Sequence, residues 1–328
     1  VYSLKQDHEQ PNLLFCGTEF GCFTSLDGGQ KWIKMSGLPT VAIRDIEIQR
    51  QQDDLVLASF GRGFFILDDY SPLRLIDESL LEKNAIMPIK KGMIYGMAAP
   101  LAGGGRAFQG SNFYIAPNPP YGVAITYHLK DSLKSKKAER LSKDRKSAAA
   151  GKDTPYPSWE QFKEEDREVA PRVVMTIRDS DNEVVNRLNG STAKGLHRTH
   201  WNLRHAGGGF GSGPLAIPGM YTVEIHQIVD GETEELVAAT EFEIEPLTFG
   251  DTSERDREAI MEFVREAQQL SIAVRGAAGV AREVDEQLDA IRNVIRNTPY
   301  LDPTMENEVR DLEVRLLDIQ EAFNGDPT

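Results

Sequence analysis

The sequence predicts a mainly β chain with an α-helical C-terminus, made of partial β-propeller blades, an immunoglobulin-like β-sandwich and an antiparallel helical hairpin or coiled coil. Three observations carry this expectation. Apolar hairpins repeat 42 residues apart at the front, short β-branched strands follow one another in the middle, and apolar residues recur in heptads at the back.

The repeat sets Leu14–Phe23 over Val56–Phe65, with Gly21 falling on Gly63. Each copy is an apolar strand, a short turn ending in glycine and a second apolar strand, and the spacing is that of a propeller blade. Between the copies lies Ser25-Leu26-Asp27-Gly28-Gly29-Gln30-Lys31-Trp32. This octet resembles the Asp-box, or BNR repeat: Ser25, Asp27, Gly29 and Trp32 match it, and Lys31 stands where threonine is usual. A short acidic side chain in such a turn accepts hydrogen bonds from its own backbone, so Asp27 reads as structural rather than catalytic. Further on, the turn Gly61-Arg62-Gly63 runs into Phe64–Leu67 and the exit Asp68-Asp69-Tyr70-Ser71-Pro72-Leu73. Together with Asn118–Tyr127, this resembles bacterial sortilin-like BNR propeller proteins, in their C-terminal portion. The resemblance implies export to the periplasm or the extracellular space, and a propeller that binds protein, peptide or glycan. A ring needs at least about four blades and about one and a half are visible here. The remaining blades are therefore expected N-terminal to Val1, in the same gene product or in a separate chain. Residues 1–75 form this first module and 76–121 read as a Gly- and Pro-rich connector. Gly103–Gly105 lacks the Lys-Ser/Thr of a phosphate-binding loop.

Residues 122–248 supply the sandwich, with strands near 123–129, 172–178, 183–188, 197–204, 219–225 and 236–244. The run Gly195-Leu196-His197 to Trp201-Asn202-Leu203-Arg204, followed by Pro218-Gly219-Met220-Tyr221-Thr222-Val223, is similar to a small Ig-like domain shared by bacterial surface proteins and the flagellar hook-capping protein. His197 and His200 sit three apart on a strand and so on opposite faces, which argues against a zinc site with His205. An insertion at 131–168 begins with eight basic against three acidic residues in 131–152, reading as a solvated, partly disordered arm. Ser158 and Gln161 form a capping box that starts a short helix at Trp159.

Residues 249–328 predict the helical hairpin. Ile260, Val264, Ala267, Ser271, Val274, Ala278 and Ala281 alternate by four and three, and Val284, Leu288, Ile291 and Ile295 resume the pattern. Gly276 and Gly279 mark a weak point, and residues 298–303 break the helix. Met305, Val309, Leu312, Leu316, Ile319 and Phe323 line the second helix; Val309, Leu312, Leu316 and Ile319 are expected to pack the hairpin, which also offers an oligomer interface.

Charge narrows the function. Of 328 residues, 51 are acidic and 37 basic, and residues 251–328 alone carry 18 acidic against 9 basic. That balance argues against nucleic-acid binding and membrane insertion. The chain holds two cysteines, Cys16 and Cys22, which flank one hairpin turn and read as buried free thiols. No catalytic residue, metal set or cofactor fingerprint emerges. The carboxylates Asp45, Asp53, Asp54, Asp68 and Asp69 are the material for a glycosidase pair, since that chemistry needs two carboxyls at a suitable separation. The leading expectation is a non-catalytic exported binding or scaffolding protein. The alternatives are the non-catalytic C-terminal part of a propeller glycoside hydrolase and a structural subunit assembled through its helices.

Overall fold

A computed structural model describes residues 1–96, 116–206, 213–247, 254–302 and 304–324. The glycine run at 103–105 and most of the 207–213 loop lie outside these residues, as do the side chains of Ile260 and Val264. The chain divides into two compact units, one comprising Val1–Leu203 and Pro218–Phe249, the other Arg204–Ile217 and Gly250–Thr328.

The first unit opens with a four-stranded antiparallel meander of β1 (Ser3–Gln6), β2 (Leu14–Thr18), β3 (Gly21–Ser25) and β4 (Ile33–Lys34). A second meander follows, β5 (Ile43–Gln49), β6 (Asp54–Ser59) and β7 (Phe64–Leu67). Both copies of the sequence repeat form antiparallel hairpins, β2–β3 and β6–β7, but their registers differ by one residue: Cys16 faces Phe23, whereas Ala58 faces Phe64 rather than Phe65. The two sheets share one core of Leu13, Phe15, Cys22, Ile43, Ile46, Leu55, Leu57 and Tyr70. Gly17 permits the approach, because a Cβ there would stand 2.8 Å from the Ile43 carbonyl oxygen. Cys16 and Cys22 are buried and unbridged.

The connector does more than link. After a 3-10 turn at Ser71–Leu75 and the short α1 (Glu78–Leu81), it contributes two edge strands, β8 (Ala85–Ile86) and β9 (Gly92–Ile94). Beyond β10 (Val123–Leu129), the chain enters α2 (Lys136–Ala149) and α3 (Trp159–Arg167). It then runs through β11 (Arg172–Arg178), β12 (Val184–Gly190), β13 (Gly195–Trp201), β14 (Gly219–Val229) and β15 (Glu232–Pro246). These strands make a five-stranded sheet, β12-β11-β14-β15-β9, and a three-stranded sheet, β13-β10-β8. Trp201 of the smaller sheet meets Tyr221 and Phe242 of the larger at centroid distances of 5.4 and 6.0 Å. The last hairpin is longer than the sequence pattern predicts. Asp230 and Gly231 both take positive φ, 54° and 88°, closing a two-residue turn that lets pairing begin at Glu232 rather than near Leu236.

The basic arm is a correction to the expected disorder. Ser135 caps α2 by accepting from the Ala138 N–H, and Arg140 forks onto Glu165 of α3 at 2.5 and 2.8 Å. Alanine and long-chain residues favour the helix, and the Arg140–Glu165 fork ties it to α3. The Ser158–Gln161 capping box is present at the start of α3.

In the second unit, α4 (Glu254–Asn297) is one 44-residue helix, uninterrupted at Gly276 and Gly279, and α5 (Met305–Asn324) returns beside it. Ala281, Leu288, Ile295, Val309 and Leu316 form the buried seam. Leu312 and Ile319 do not join it: they are 47 % and 50 % exposed, which corrects the expectation that all four residues pack the hairpin. The buried face of α5 is turned toward Glu313, which is buried and ion-paired to Arg292, so the row containing Leu312 and Ile319 rotates outward.

Candidate functional site

The octet Ser25–Trp32 bridges β3 and β4. Ser25, fully buried, donates its hydroxyl to Asp27 (2.8 Å) and accepts from the Gly29 N–H (2.9 Å), while Asp27 accepts from the Lys31 N–H (2.9 Å). Those bonds hold the Asp27 carboxyl below its ordinary value. Both of these bonds of the Asp27 carboxyl, to Ser25 and to Lys31, lie within its own turn. Trp32 lies against Gly29 but remains 37 % exposed, less covered than an anchor beneath the hairpin would be. The Gly61-Arg62-Gly63 turn is exposed, with Gly61 and Gly63 at φ 78° and 69° and the Ser59 hydroxyl donating to the Gly63 carbonyl at 2.7 Å.

A chain of charges bolts the two meanders to the larger β assembly. Asp7, just after β1, is buried and accepts from the Tyr70 hydroxyl, from Arg74 Nε at 2.8 Å and from the backbone N–H groups of Glu9 and Gln10. Burial alone would raise the Asp7 carboxyl; the bonds from Arg74, Tyr70 and the two N–H groups outweigh it and hold the group well below the usual range. Burial and its bond to Asp7 push the Tyr70 phenol up. Arg74 also reaches Asp53 (2.6 Å) and Glu9 (2.8 Å). Lys90 then ties Asp53 to Asp69, at 2.9 Å each. From β13, Arg198 donates to the carbonyls of Asp68 (2.7 Å) and Asp69 (2.6 Å) and to Thr126 Oγ1 (3.0 Å). His8, Glu9 and Asp53 stand close enough to hold a cation, but the Arg74 guanidinium already pairs with Glu9 and Asp53 and supplies the positive charge there.

Beside this joint lies a cleft of about 480 Å³ between the end of the second meander and the strands β9, β10 and β13. Asp54, Asp68, Lys90, Tyr95, Arg198 and His200 line it. Burial and the neighbouring Asp54 charge raise the Asp68 carboxyl, only partly opposed by Arg198 and His200. Burial and Arg198 lower the His200 imidazole, opposed by Asp68. Among the described residues neither side chain takes part in an ion pair of the network above. Tyr95, 40 % exposed, presents a ring braced edge-on by Tyr121 at 5.0 Å.

Of the five carboxylates singled out in the sequence, the structure brings Asp54, Asp68 and Asp69 to this cleft. Asp53 is spent on Arg74 and Lys90, and Asp45 accepts from the Ser3 hydroxyl and the Ile46 N–H. Asp54 accepts from the Asp69 N–H. The sequence reading missed Asp7, Tyr70, Arg74, Lys90 and Arg198, whose partners lie up to 130 residues away. In the sequence His200 stands out only beside His197, and the structure sends His197 to the Ala193 carbonyl.

No known family model matches the chain, and no curated protein matches it. Among solved structures, it is similar to FlgD from P. aeruginosa, at 27 % identity over 21 % of this chain and 50 % of that one, with a TM-score of 0.18. The chain therefore spans half the length of that protein. Among the described residues, no helix is long and apolar enough to cross a membrane.

Proposed function

We propose that this chain is part of a non-catalytic, exported binding or scaffolding protein of the sortilin-like BNR propeller type, and that the cleft at Asp68 and His200 takes part in recognising a protein, peptide or glycan. The observation that carries the reading is the division of labour among the charges. Asp27, Asp7, Asp53, Arg74 and Lys90 are all committed to bonds within the protein. Asp68 and His200 instead line a cleft of mixed polar and apolar surface beside an exposed tyrosine, a set suited to hydrogen bonding and ring contact. The Ig-like character of the two packed sheets belongs to the same proposal, as does completion of the blades by further propeller modules.

A second reading, glycoside hydrolysis, draws on Asp68 and Asp54, because an acid with a raised carboxyl next to a second carboxylate is the pattern that chemistry uses. One experiment separates the two. The full chain is screened on glycan and peptide arrays, hits are measured by calorimetry, and the same samples are assayed for release of a fluorophore from aryl glycosides. Binding without turnover, weakened about tenfold or more by Asp68→Asn, is expected from losing one charge-assisted hydrogen bond. Turnover abolished by Asp68→Asn would establish the second reading, and no binding to either array would remove the first.

A further inference from the structure

The helical unit is lopsided. The ion pairs Arg296–Glu306 and Arg292–Glu313 fix an antiparallel register between α4 and α5. Continued along both helices, that register brings the end of α5 level with roughly residue 280 of α4, so about 39 Å of α4 runs on with no helix beside it among the described residues of this unit.

That stretch continues the packed seam. Ala267 and Val274 lie two heptads and one heptad before the buried Ala281, and Phe263 and Leu270 form the adjoining row. Phe263 is 70 % exposed, Leu270 67 % and Val274 36 %. The flanking positions Ala259, Ser271, Ala273 and Ala278 are small, which lets another helix come close. Its charge also differs from that of the hairpin. Residues 254–280 carry five acidic and four basic side chains, whereas 281–324 carry eleven and five.

We propose that this stretch of α4 is a dimerisation surface, and that its occupant is the same stretch of a second copy, packed antiparallel about a two-fold axis near residue 267. The nearly neutral stretch meets its like at little electrostatic cost, whereas a basic partner would be drawn to the acidic hairpin instead. Antiparallel packing sends the two acidic hairpins to opposite ends, well beyond the screening length of roughly 8–10 Å; parallel packing would set them side by side. A two-fold pairing is also closed, so it stops at two copies.

The test uses the full chain. Sedimentation equilibrium from about 1 to 100 µM, the range of a modest interface, is expected to show mass rising toward twice that of one chain. Leu270→Asp should weaken association at least about tenfold with helix content unchanged, since it sets a charge into an apolar layer. Phe263→Asp gives the same readout if Leu270→Asp loses helix, while Leu312→Asp, on the hairpin, should leave the mass series unaltered. A spin label at Asp256→Cys, with Cys16 and Cys22 buried, should report a separation of about 33 Å between copies, against under about 20 Å for a parallel pair. A monomer throughout the series, association indifferent to both α4 variants, sensitivity to Leu312→Asp alone, or the short separation would each overturn the proposal.

Discussion

The β unit and the helical unit are held together in different ways. In the β unit, Trp201, Tyr70, Tyr127 and Phe15 are fully buried, and a charge such as Arg74 has partners at Asp7, Glu9 and Asp53. In the helical unit, the buried apolar core among the described residues is one seam of five, Ala281, Leu288 and Ile295 of α4 against Val309 and Leu316 of α5, none completely excluded from water, with apolar rows left half-open beside it. Burial in several layers makes the first unit sensitive to one cavity or one stranded charge. A single seam makes the second unit depend on a few side chains and on whatever covers its open rows.

The largest effect is expected from Trp201→Ala. The ring links the two sheets through Tyr221 and Phe242, and its loss should cost about 4 kcal/mol in the cavity it leaves. Near-ultraviolet and helix-specific circular dichroism, followed through denaturation, should show the β transition moving while the helical one stays. Both transitions moving together would break the comparison, because the units would then be one cooperative body.

Asp7→Asn comes next, at about 3 kcal/mol, because it removes the buried carboxylate that holds a partly buried, multiply bonded Arg74. The same bonds set a pH dependence. The Asp7 carboxyl is held below its unfolded value of about 3.9, so its contribution is complete above that value and fades as pH falls through it toward the folded value. Wild type should lose stability steeply below about pH 4 in urea titrations, and Asp7→Asn should flatten that fall. Equal slopes in the two proteins would mean that the joint is not what holds the unit in acid.

What could be read from the sequence follows the range of the interactions. The hairpins at Gly21 and Gly63, the Ser25–Trp32 turn, the Ser158–Gln161 cap and the strand cores of β10, β11 and β13 depend on neighbours a few residues away, and all were legible. The Asp230-Gly231 pair carries the same local turn signal, since both residue types tolerate positive φ. The edge strands β8 and β9 were not legible, because two or three residues show no period of their own and pair only once β10 and β15 present their edges. The Asp7–Tyr70–Arg74 joint spans more than sixty residues, so no local pattern announces it. The Asp68–His200 cleft is hidden for the same reason: its two groups come from different modules.

The helical comparison is sharpened by Leu316→Ala beside Leu312→Ala. Heptad spacing treats the two leucines alike, but Leu316 is 6 % exposed and Leu312 47 %. Thermal melts should show a loss of about 2–3 kcal/mol for the first and under about 1 kcal/mol for the second. Equal costs would mean that another surface covers Leu312 in solution. For the same reason Leu316→Asp is a poor probe of assembly, since it would undo the hairpin before it touched any partner.

The smallest effect concerns the Ser25–Trp32 turn. Ser25→Ala removes the acceptor of the Gly29 N–H and the donor to Asp27, but Asp27 keeps the Lys31 N–H, and the turn carries the edge strand β4 rather than the shared core. A loss of about 1 kcal/mol is expected, the worth of one net hydrogen bond in a buried position. Amide exchange should quicken at Gly29 and its neighbours and remain slow across β5 and β6, because the opening is local. A loss above about 3 kcal/mol, or faster exchange in both meanders, would show the turn to be a keystone of the β unit, and the contrast between its layered core and its edges would have to be redrawn.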